Sequence, residues 1–511
     1  MKKILKILFS RLFFIILAVL TQLTWIVILV WKLNEISTYV SFVMSVISFI
    51  AVLILVNRRI NPAYKLAWTI LILSFPILGA VIYFLFGKSR VAKKLLREFE
   101  TLEQDEYMKF IKDITVMKEL RAMDKHIANQ SYYIEDSANW PVYKGTTTTY
   151  FSVGEDMYKE MMLKLENAEK FIFMEYFIMK PGKMWDSILA VLEKKVKAGV
   201  DVRIIYDDMG CVTTLPAKYY KKLQSKGIKC AAFNPFRPIL SIILNNRDHR
   251  KILVVDGDTS FTGGMNLSDE YINEVIRFGH WKDTGVMLKG DAVWSFTLMF
   301  LQMWKVITGM QDDFKAYAPH MNCKEKSQED GFVQPYCDSP LDSETVGENV
   351  YMNLITKAKD YVYIFTPYLI IDNEMMSALC LASRSGVDVR IVTPHIPDKK
   401  TAFLLTRSYY SQLIDAGVRI YEYLPGFLHA KSFVCDDEAA IVGTINLDYR
   451  SLYLHFECGV FIYKSNAVMD VKHDSFKTIQ NSQEISREFC ANQNIVIRII
   501  QNILRLLAPL F

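Results

Sequence analysis

Cysteine is present but never paired. Cys211, Cys230, Cys323, Cys337, Cys380, Cys435, Cys458 and Cys490 show no CxxC and no matched spacing, which excludes a zinc knuckle or a disulfide framework. Free thiols used as small apolar residues suit a reducing, cytoplasmic compartment. Charge of one sign is also scarce. A net charge of +5 over 511 residues does not call for nucleic acid, though it is compatible with an anionic membrane surface. Carboxylates at metal-ligand spacing are missing around the motifs below, so no metal and no other cofactor is expected.

What the chain has in excess is apolar surface, 51% of residues, concentrated at the N-terminus. Three stretches stand in succession, Leu12 to Trp31, Val40 to Val56 and Leu66 to Phe86. About 20 helical residues cross a hydrocarbon core of ~30 Å, so residues 1–90 are expected to form an α-helical transmembrane region of two to three segments. Basic residues precede the first stretch (Lys2, Lys3, Lys6, Arg11), separate the second from the third (Arg58, Arg59, Lys65) and follow the third (Lys88, Arg90, Lys93, Lys94). All of them face the cytoplasm if the first two stretches cross as a hairpin and the third, broken by Pro76 and Gly79, dips in and returns. Three full spans would instead put the rest of the chain outside. Residues 91–135, charged and poor in Gly and Pro, read as a solvated helical connector.

Beyond residue 135 the chain repeats itself. HRKILVVDGDTSFTGGMN, His249 to Asn266, returns as HAKSFVCDDEAAIVGTIN, His429 to Asn446, with His, Lys, Asp, Gly and Asn at the same offsets. Gly199-Val-Asp-Val-Arg-Ile-Ile is echoed by Gly386-Val-Asp-Val-Arg-Ile-Val, and Leu165 to Ile178 by Leu354 to Leu369. Each half closes on a strand, Trp281 to Leu288 and Phe456 to Tyr463. Strands alternating with helical segments such as Trp185 to Ala198 and Glu374 to Ser385 indicate an α/β fold. Two tandem repeats, 136–325 and 326–511, would pack about a pseudo-twofold axis, with a Pro-containing polar linker over 315–342.

On a strand, residues two apart share a face, so His249 with Lys251, and His429 with Lys431, each set an imidazole beside an ammonium. One such pair is no more than a polar strand edge. Two matched pairs brought face to face supply a nucleophile, a proton donor and two cations for phosphate oxygens. Asp256 opens Asp-Gly-Asp and Asp436 opens Asp-Asp-Glu, both turn signals, so these aspartates are expected to fix the hairpins and act on the site indirectly. A histidine presenting one nitrogen to phosphorus needs its other nitrogen held. Asp283 in HWKDTG and Glu457 in LHFECG are candidates for that task. His126, His280 and His395 have no twin in the other half. Tyr176 and Tyr368 end matched strands and are candidates for the substrate mouth.

The paired His-x-Lys-x4-Asp motifs, each followed by Gly-x-x-Asn, resemble the signature of the phospholipase D superfamily. The stretches LAWTILILSFPILGAVIYFLFGK (66–88), GGMNLSDEY (263–271) and GTINLDYRS (443–451) are similar to the bacterial cardiolipin synthase branch. The resemblance implies two phospholipase D-like domains in a multi-pass protein of the bacterial cell membrane. It implies transfer of a phosphatidyl group between two phosphatidylglycerol molecules, giving cardiolipin and glycerol through a phosphohistidine. It casts His249 as nucleophile and His429 as acid and then base, a choice the residues themselves leave open. Lys251 and Lys431 would hold phosphate oxygens, Asn266 and Asn446 would add neutral donors, and Asp256 and Asp436 count as site residues. The chain departs from the branch at His455, where asparagine is usual, and at Trp281-Lys282, where Trp-Arg is usual. A hydrolase of the same superfamily, a synthase using another donor lipid and a non-catalytic scaffold are the alternatives. The C-terminal run NIVIRIIQNILRLLAPLF (494–511) carries apolar residues at helical spacing and is expected either to lie on the bilayer or to cap the core.

Overall fold

The computed structural model describes residues 20–25, 35–58, 61–75, 79, 82–83, 113–235, 246–310, 312–318, 330–342 and 344–510. Most of the first apolar stretch, the basic residues at 2–11 and 88–94, Pro76 and connector residues 91–112 lie outside these.

The duplication expected from the sequence is written into the strand order. In the first half, β1 (Thr146–Phe151), β2 (Phe171–Tyr176), β3 (Asp201–Asp207), β4 (Lys229–Phe233), β5 (Lys251–Val255), β6 (Thr259–Gly263) and β7 (Gly285–Gly290) form a sheet in the order β1-β7-β6-β5-β2-β3-β4. In the second, β8 (Phe332–Asp338), β9 (Tyr361–Phe365), β10 (Asp388–Pro394), β11 (Arg419–Tyr423), β12 (Ser432–Cys435), β13 (Ala439–Gly443) and β14 (His455–Tyr463) retrace it as β8-β14-β13-β12-β9-β10-β11. A further strand, β15 (Ser482–Glu484), is added beyond β11. The parallel steps β2-β3 and β9-β10 are bridged by the helices Lys183–Lys197 and Asn373–Arg384, as parallel neighbours require a crossover.

The two halves share a core. The helix Val293–Thr308 is apolar on all sides and buried from Val293 to Trp304, the mark of an internal helix; Phe300 stacks on Phe173 of β2 at 4.6 Å. Its counterpart Asn466–Gln480 crosses back to the first half, where Asp474 accepts from Tyr150 Oη of β1 at 2.7 Å and pairs with the buried Lys282 at 2.8 Å.

Three expectations need correction. The 315–342 stretch is not a continuous linker: 332–338 is β8, and Pro335 is tolerated because β8 is the last strand of its sheet, its outer side carrying only the isolated bridge of Val333 to Tyr143. The connector is not solvated throughout. The helix Lys125–Ala138 buries Ala128, Gln130, Ser131 and Ile134, with Gln130 donating to Val350 O and Gln334 to Ser131 O. The strand expected from Trp281 to Leu288 is broken, because residues 280–282 leave their own sheet to pair with Gly426–Leu428 of the other half.

Among residues whose side chains are described, no helix is long and apolar enough to cross a membrane. The helix Glu35–Val56 has 22 residues, but its side chains are described without a break only from Phe42 to Val56, about 22 Å at 1.5 Å per residue. It packs against the helix Pro62–Ser74 through Leu55 and Ile72. Asn61 caps that second helix and donates to Asp372 and Tyr453 at 2.8 Å, tying the N-terminal hairpin to the second half.

The motif aspartates sit at the turns, both in left-handed backbone with φ 54° and 55°. Asp256 accepts from the backbone N–H groups of Glu169, Lys170 and Phe171 at 2.7–2.9 Å. Asp436 does the same for Lys359, Asp360 and Tyr361 at 2.8–3.0 Å. They clamp the entry of β2 and β9, at the end of β5 and β12 remote from the histidines, so their part is structural. Asp256→Ala and Asp436→Ala should each lower unfolding free energy by about 1–3 kcal/mol, read as a fall in melting temperature, while the folded fraction keeps its turnover.

Candidate active site

The catalytic candidates meet where each half lends backbone to the other. Arg247–Asp248 pairs in parallel with His455–Phe456 of β14, and Gly426–Leu428 pairs with His280–Lys282. His249 N donates to Phe456 O at 2.9 Å and His429 N to Lys282 O at 2.7 Å. The histidines therefore precede β5 and β12 instead of lying on them as the strand spacing suggested. Exchange of these short arms pulls each imidazole out of its own sheet and into the seam.

The exchange is reciprocal in the side chains too. His249 Nδ1 meets the Glu457 carboxylate at 2.9 and 3.0 Å, and His429 Nδ1 meets Asp283 Oδ2 at 2.7 Å. Each half's histidine is thus oriented by the other half's carboxylate. Both carboxylates are fully buried, and the imidazoles nearly so. Thr444 Oγ1 donates to Glu457. Its counterpart is Gly264, where a Cβ would stand 2.0 Å from Asp283 Oδ1, so only glycine admits that shorter carboxylate. With Nδ1 taken, Nε2 of each ring is left for chemistry.

Lys251 Nζ donates to His249 O at 2.5 Å, and Lys431 Nζ donates to His429 O while lying 2.9 Å from His429 Nδ1. Each ammonium keeps further hydrogens for an anion. Of the asparagines, Asn266 is already occupied: its Oδ1 accepts from Ile178 N at 3.0 Å and its Nδ2 donates to Tyr271 Oη at 2.7 Å. Asn446 Oδ1 is buried without a protein partner, so of the two it is the freer to serve a ligand. Tyr176 is buried, 2% exposed, and lines no mouth. Tyr368 donates to Asp398 at 2.6 Å. His280 and His395 lie elsewhere, against Tyr423 and Glu422.

Two features escaped the sequence reading. Behind the first motif, buried Arg250 pairs with Glu175 at 2.5 Å and Arg247 with Asp207 at 3.1 Å. The signal was a glutamate inside the apolar run FIFMEY. The second feature is the place of His455, marked in the sequence only as a departure from the branch: its ring centre is 5.5 Å from that of His249 and its Nδ1 lies 3.7 Å from Glu457 Oε1. Ligand atoms of His249, His455 and Glu457 lie within 4.8 Å of one another, a set able to hold a metal ion, but the ammoniums of Lys251 and Lys431 make the surroundings better suited to an anion.

Burial dominates the electrostatics. It lowers Lys251 to about 8, against the pull of Glu457, and Lys431 to about 7, against Asp283. Burial, then Lys251 and Lys431, hold His249 well below its usual value. Burial and Lys431 take His429 to about 4 in spite of Asp283. At rest the seam holds two lysines against two carboxylates, with both imidazoles neutral. A phosphodiester adds one negative charge in low dielectric, and so favours uptake of a proton.

The family model described as cardiolipin synthase, PLD-like domain matches residues 161–280 and 351–479, one match in each half, and the phospholipase D-nuclease N-terminal model matches 46–88. An uncharacterized protein of Streptococcus mutans is 46% identical over 90% of this chain and 99% of its own. Cardiolipin synthases of Geobacillus kaustophilus and Alkalihalophilus pseudofirmus are 34% and 33% identical, covering 90% and 94% of this chain and 91% and 94% of theirs. Among solved structures, a phosphatidylserine synthase of Haemophilus influenzae superposes with TM-score 0.54 at 14% identity, over 74% of this chain and 97% of that one, which speaks to the fold.

The lowered imidazoles set an acid limit. His429 and His455 protonate near pH 4 when folded but near 6.5 when unfolded. The unfolded chain therefore binds more protons between these values, and stability falls as the pH drops through them, by roughly 3 kcal/mol per imidazole at the low end. Denaturant midpoints at pH 7 and pH 4.5 should differ accordingly, and His455→Asn should remove one share of the difference.

Proposed function

This chain belongs to the cardiolipin synthase family of phospholipase D-type phosphatidyltransferases, and from that premise we propose that it joins two phosphatidylglycerols through a covalent histidine intermediate. The observation that carries the mechanism is the reciprocal pairing of Glu457 with His249 and Asp283 with His429. It holds Nδ1 of each ring and leaves two Nε2 atoms for chemistry, with Lys251, Lys431 and His429 all close enough to act on His249.

In the first step neutral His249 Nε2 attacks phosphorus. The P–N bond forms, the P–O bond to glycerol breaks, and the Nε2 proton of His429 passes to the departing oxygen. Lys251 and Lys431 take up charge on the non-bridging oxygens as it moves. In the second step the terminal hydroxyl of another phosphatidylglycerol gives its proton to neutral His429 Nε2 and attacks phosphorus. The P–N bond breaks, and cardiolipin is released. The proton that the first step spends is the one that the incoming phosphodiester brings in to balance its own charge. Family resemblance assigns His249 the nucleophile's part, and its ring is in the neutral form that attack requires.

The protein is membrane-associated, as the N-terminal match indicates. We take the helices Glu35–Val56 and Pro62–Ser74, whose outward residues include Phe42, Phe49, Leu66 and Leu73, as part of a multi-pass anchor that keeps the catalytic halves on the cytoplasmic side. There both lipid substrates reach the site by diffusion in two dimensions, and a seam close to the headgroups favours an alcohol over water.

Full-length protein reconstituted with phosphatidylglycerol should form cardiolipin and glycerol, identified by mass spectrometry. His249→Ala and His429→Ala should each cut turnover on the order of a thousandfold or more. Phosphatidic acid as the sole lipid product would replace this reading with a hydrolase, and cardiolipin from either variant at the wild-type rate would end the two-histidine scheme.

A further inference from the structure

The C-terminal helix Ile495–Leu506 is mounted back to front for a protein in water. The residues it turns to the protein are polar: Gln501 is 5% exposed, and the guanidinium of Arg505, itself partly in solvent, stands 4.5 Å over the Tyr409 ring and donates to Gln412 Oε1 at 2.9 Å. Its apolar side faces out, with Ile495, Ile499 and Ile503 exposed by 66%, 52% and 54% and Val496 and Leu506 beside them. Positions 495, 499, 503 and 506 recur at helical spacing, so the exposed residues form one stripe. A core-capping helix would show the opposite arrangement.

Three observations say what covers the stripe. The chain continues into the turn Ala508–Leu510, which packs on the helix Pro62–Ser74, and that helix exposes its own stripe of Leu66, Ile70 and Leu73 within the segment matched by the membrane-associated N-terminal family. The two apolar surfaces therefore sit on adjoining elements. From Asn492 to Phe511 there is no acidic residue, only Arg498 and Arg505, which complements an anionic lipid surface. Finally, the helix Lys400–Arg407 packs directly on this helix and begins beside Lys399, one of the charges acting on His249. The stripe is thus one helix away from the catalytic seam.

We propose that the helix Ile495–Leu506 lies in the plane of the bilayer, its isoleucine stripe in the acyl boundary, and holds the catalytic seam at headgroup height. This rests on the reading that the substrates are membrane lipids. It adds a second attachment, in sequence at the opposite end from the N-terminal hairpin, which fixes the tilt of the catalytic halves as well as their tether. Arg498 then reaches the headgroup layer from the flank of the helix, with its stem along the apolar face.

The test uses the full-length protein in phosphatidylglycerol proteoliposomes. An environment-sensitive fluorophore on Ile499→Cys, with mock-labelled wild type as the blank, should be quenched by lipids brominated on the acyl chain and shielded from iodide. Quenching by iodide alone would overturn the proposal, and so would a disulfide-linked dimer through position 499, which would assign the stripe to a second copy. In parallel, Ile499→Asp/Ile503→Asp should lower cardiolipin formation in vesicles by about tenfold. The same variant should stay within about twofold of wild type on short-chain phosphatidylglycerol dispersed in detergent, where no bilayer has to be met. Equal loss in both assays would overturn the proposal. Absence of cardiolipin from the wild type would instead strike the functional reading, and leave the quenching result to stand on its own.

Discussion

Two hydrogen bonds across one seam, from His249 Nδ1 to Glu457 and from His429 Nδ1 to Asp283, determine most of what this molecule is. Neither half contains a complete site, because each supplies an imidazole that only the other half orients. The backbone enforces the same dependence through the exchanged arms at 247–248 and 426–428. Removing the imidazole from such a contact leaves a buried carboxylate without its donor, at a cost of about 1–3 kcal/mol. The seam is therefore both the proposed catalytic centre and a condition of the fold.

The same burial explains the electrostatic poise. Ammoniums lowered to about 8 and about 7 are strained in the resting protein and relieved by an anion. Desolvation therefore works toward phosphate binding: the cost of burying Lys251 and Lys431 is met when the complex folds, and part of it returns when a phosphodiester enters. A site exposed to water would hold its lysines at ordinary basicity and gain far less from the same contact. The balance of two cations against two carboxylates also makes proton uptake part of substrate binding, which links recognition to the acid that the first step consumes.

Much of this was legible in the sequence because it was written twice. The motifs at 249 and 429 and the Gly-Val-Asp-Val-Arg echoes located the halves, and the turn chemistry of Asp-Gly-Asp announced that Asp256 serves the hairpin. Which carboxylate serves which histidine was not legible, since a pattern that repeats within each half says nothing about crossing between halves. The helix Lys125–Ala138 was misread because two of its inward residues, Gln130 and Ser131, are polar and find their partners in the second half. β8 was hidden by Pro335, a residue that only an edge strand accommodates. The C-terminal run showed its amphipathic spacing plainly, but spacing cannot tell which side meets the protein.

The twofold is broken where it matters. Trp281 and His455 occupy equivalent places, two residues before the orienting carboxylates, and each ring lies against the histidine that its neighbouring carboxylate holds, at 5.4 Å from His429 and 5.5 Å from His249. His429 is walled by Trp281, Tyr271 and Phe427, an apolar enclosure that keeps a proton donor away from bulk water. His249 has Phe177 on one side and the imidazole of His455, which shares Glu457 with it, on the other. On the proposed scheme, a nucleophile approached by two lipids in turn is better placed beside a small polar ring than beneath an indole, and a proton donor the reverse. The difference between the neighbours thus points the same way as the proposed roles of the two histidines.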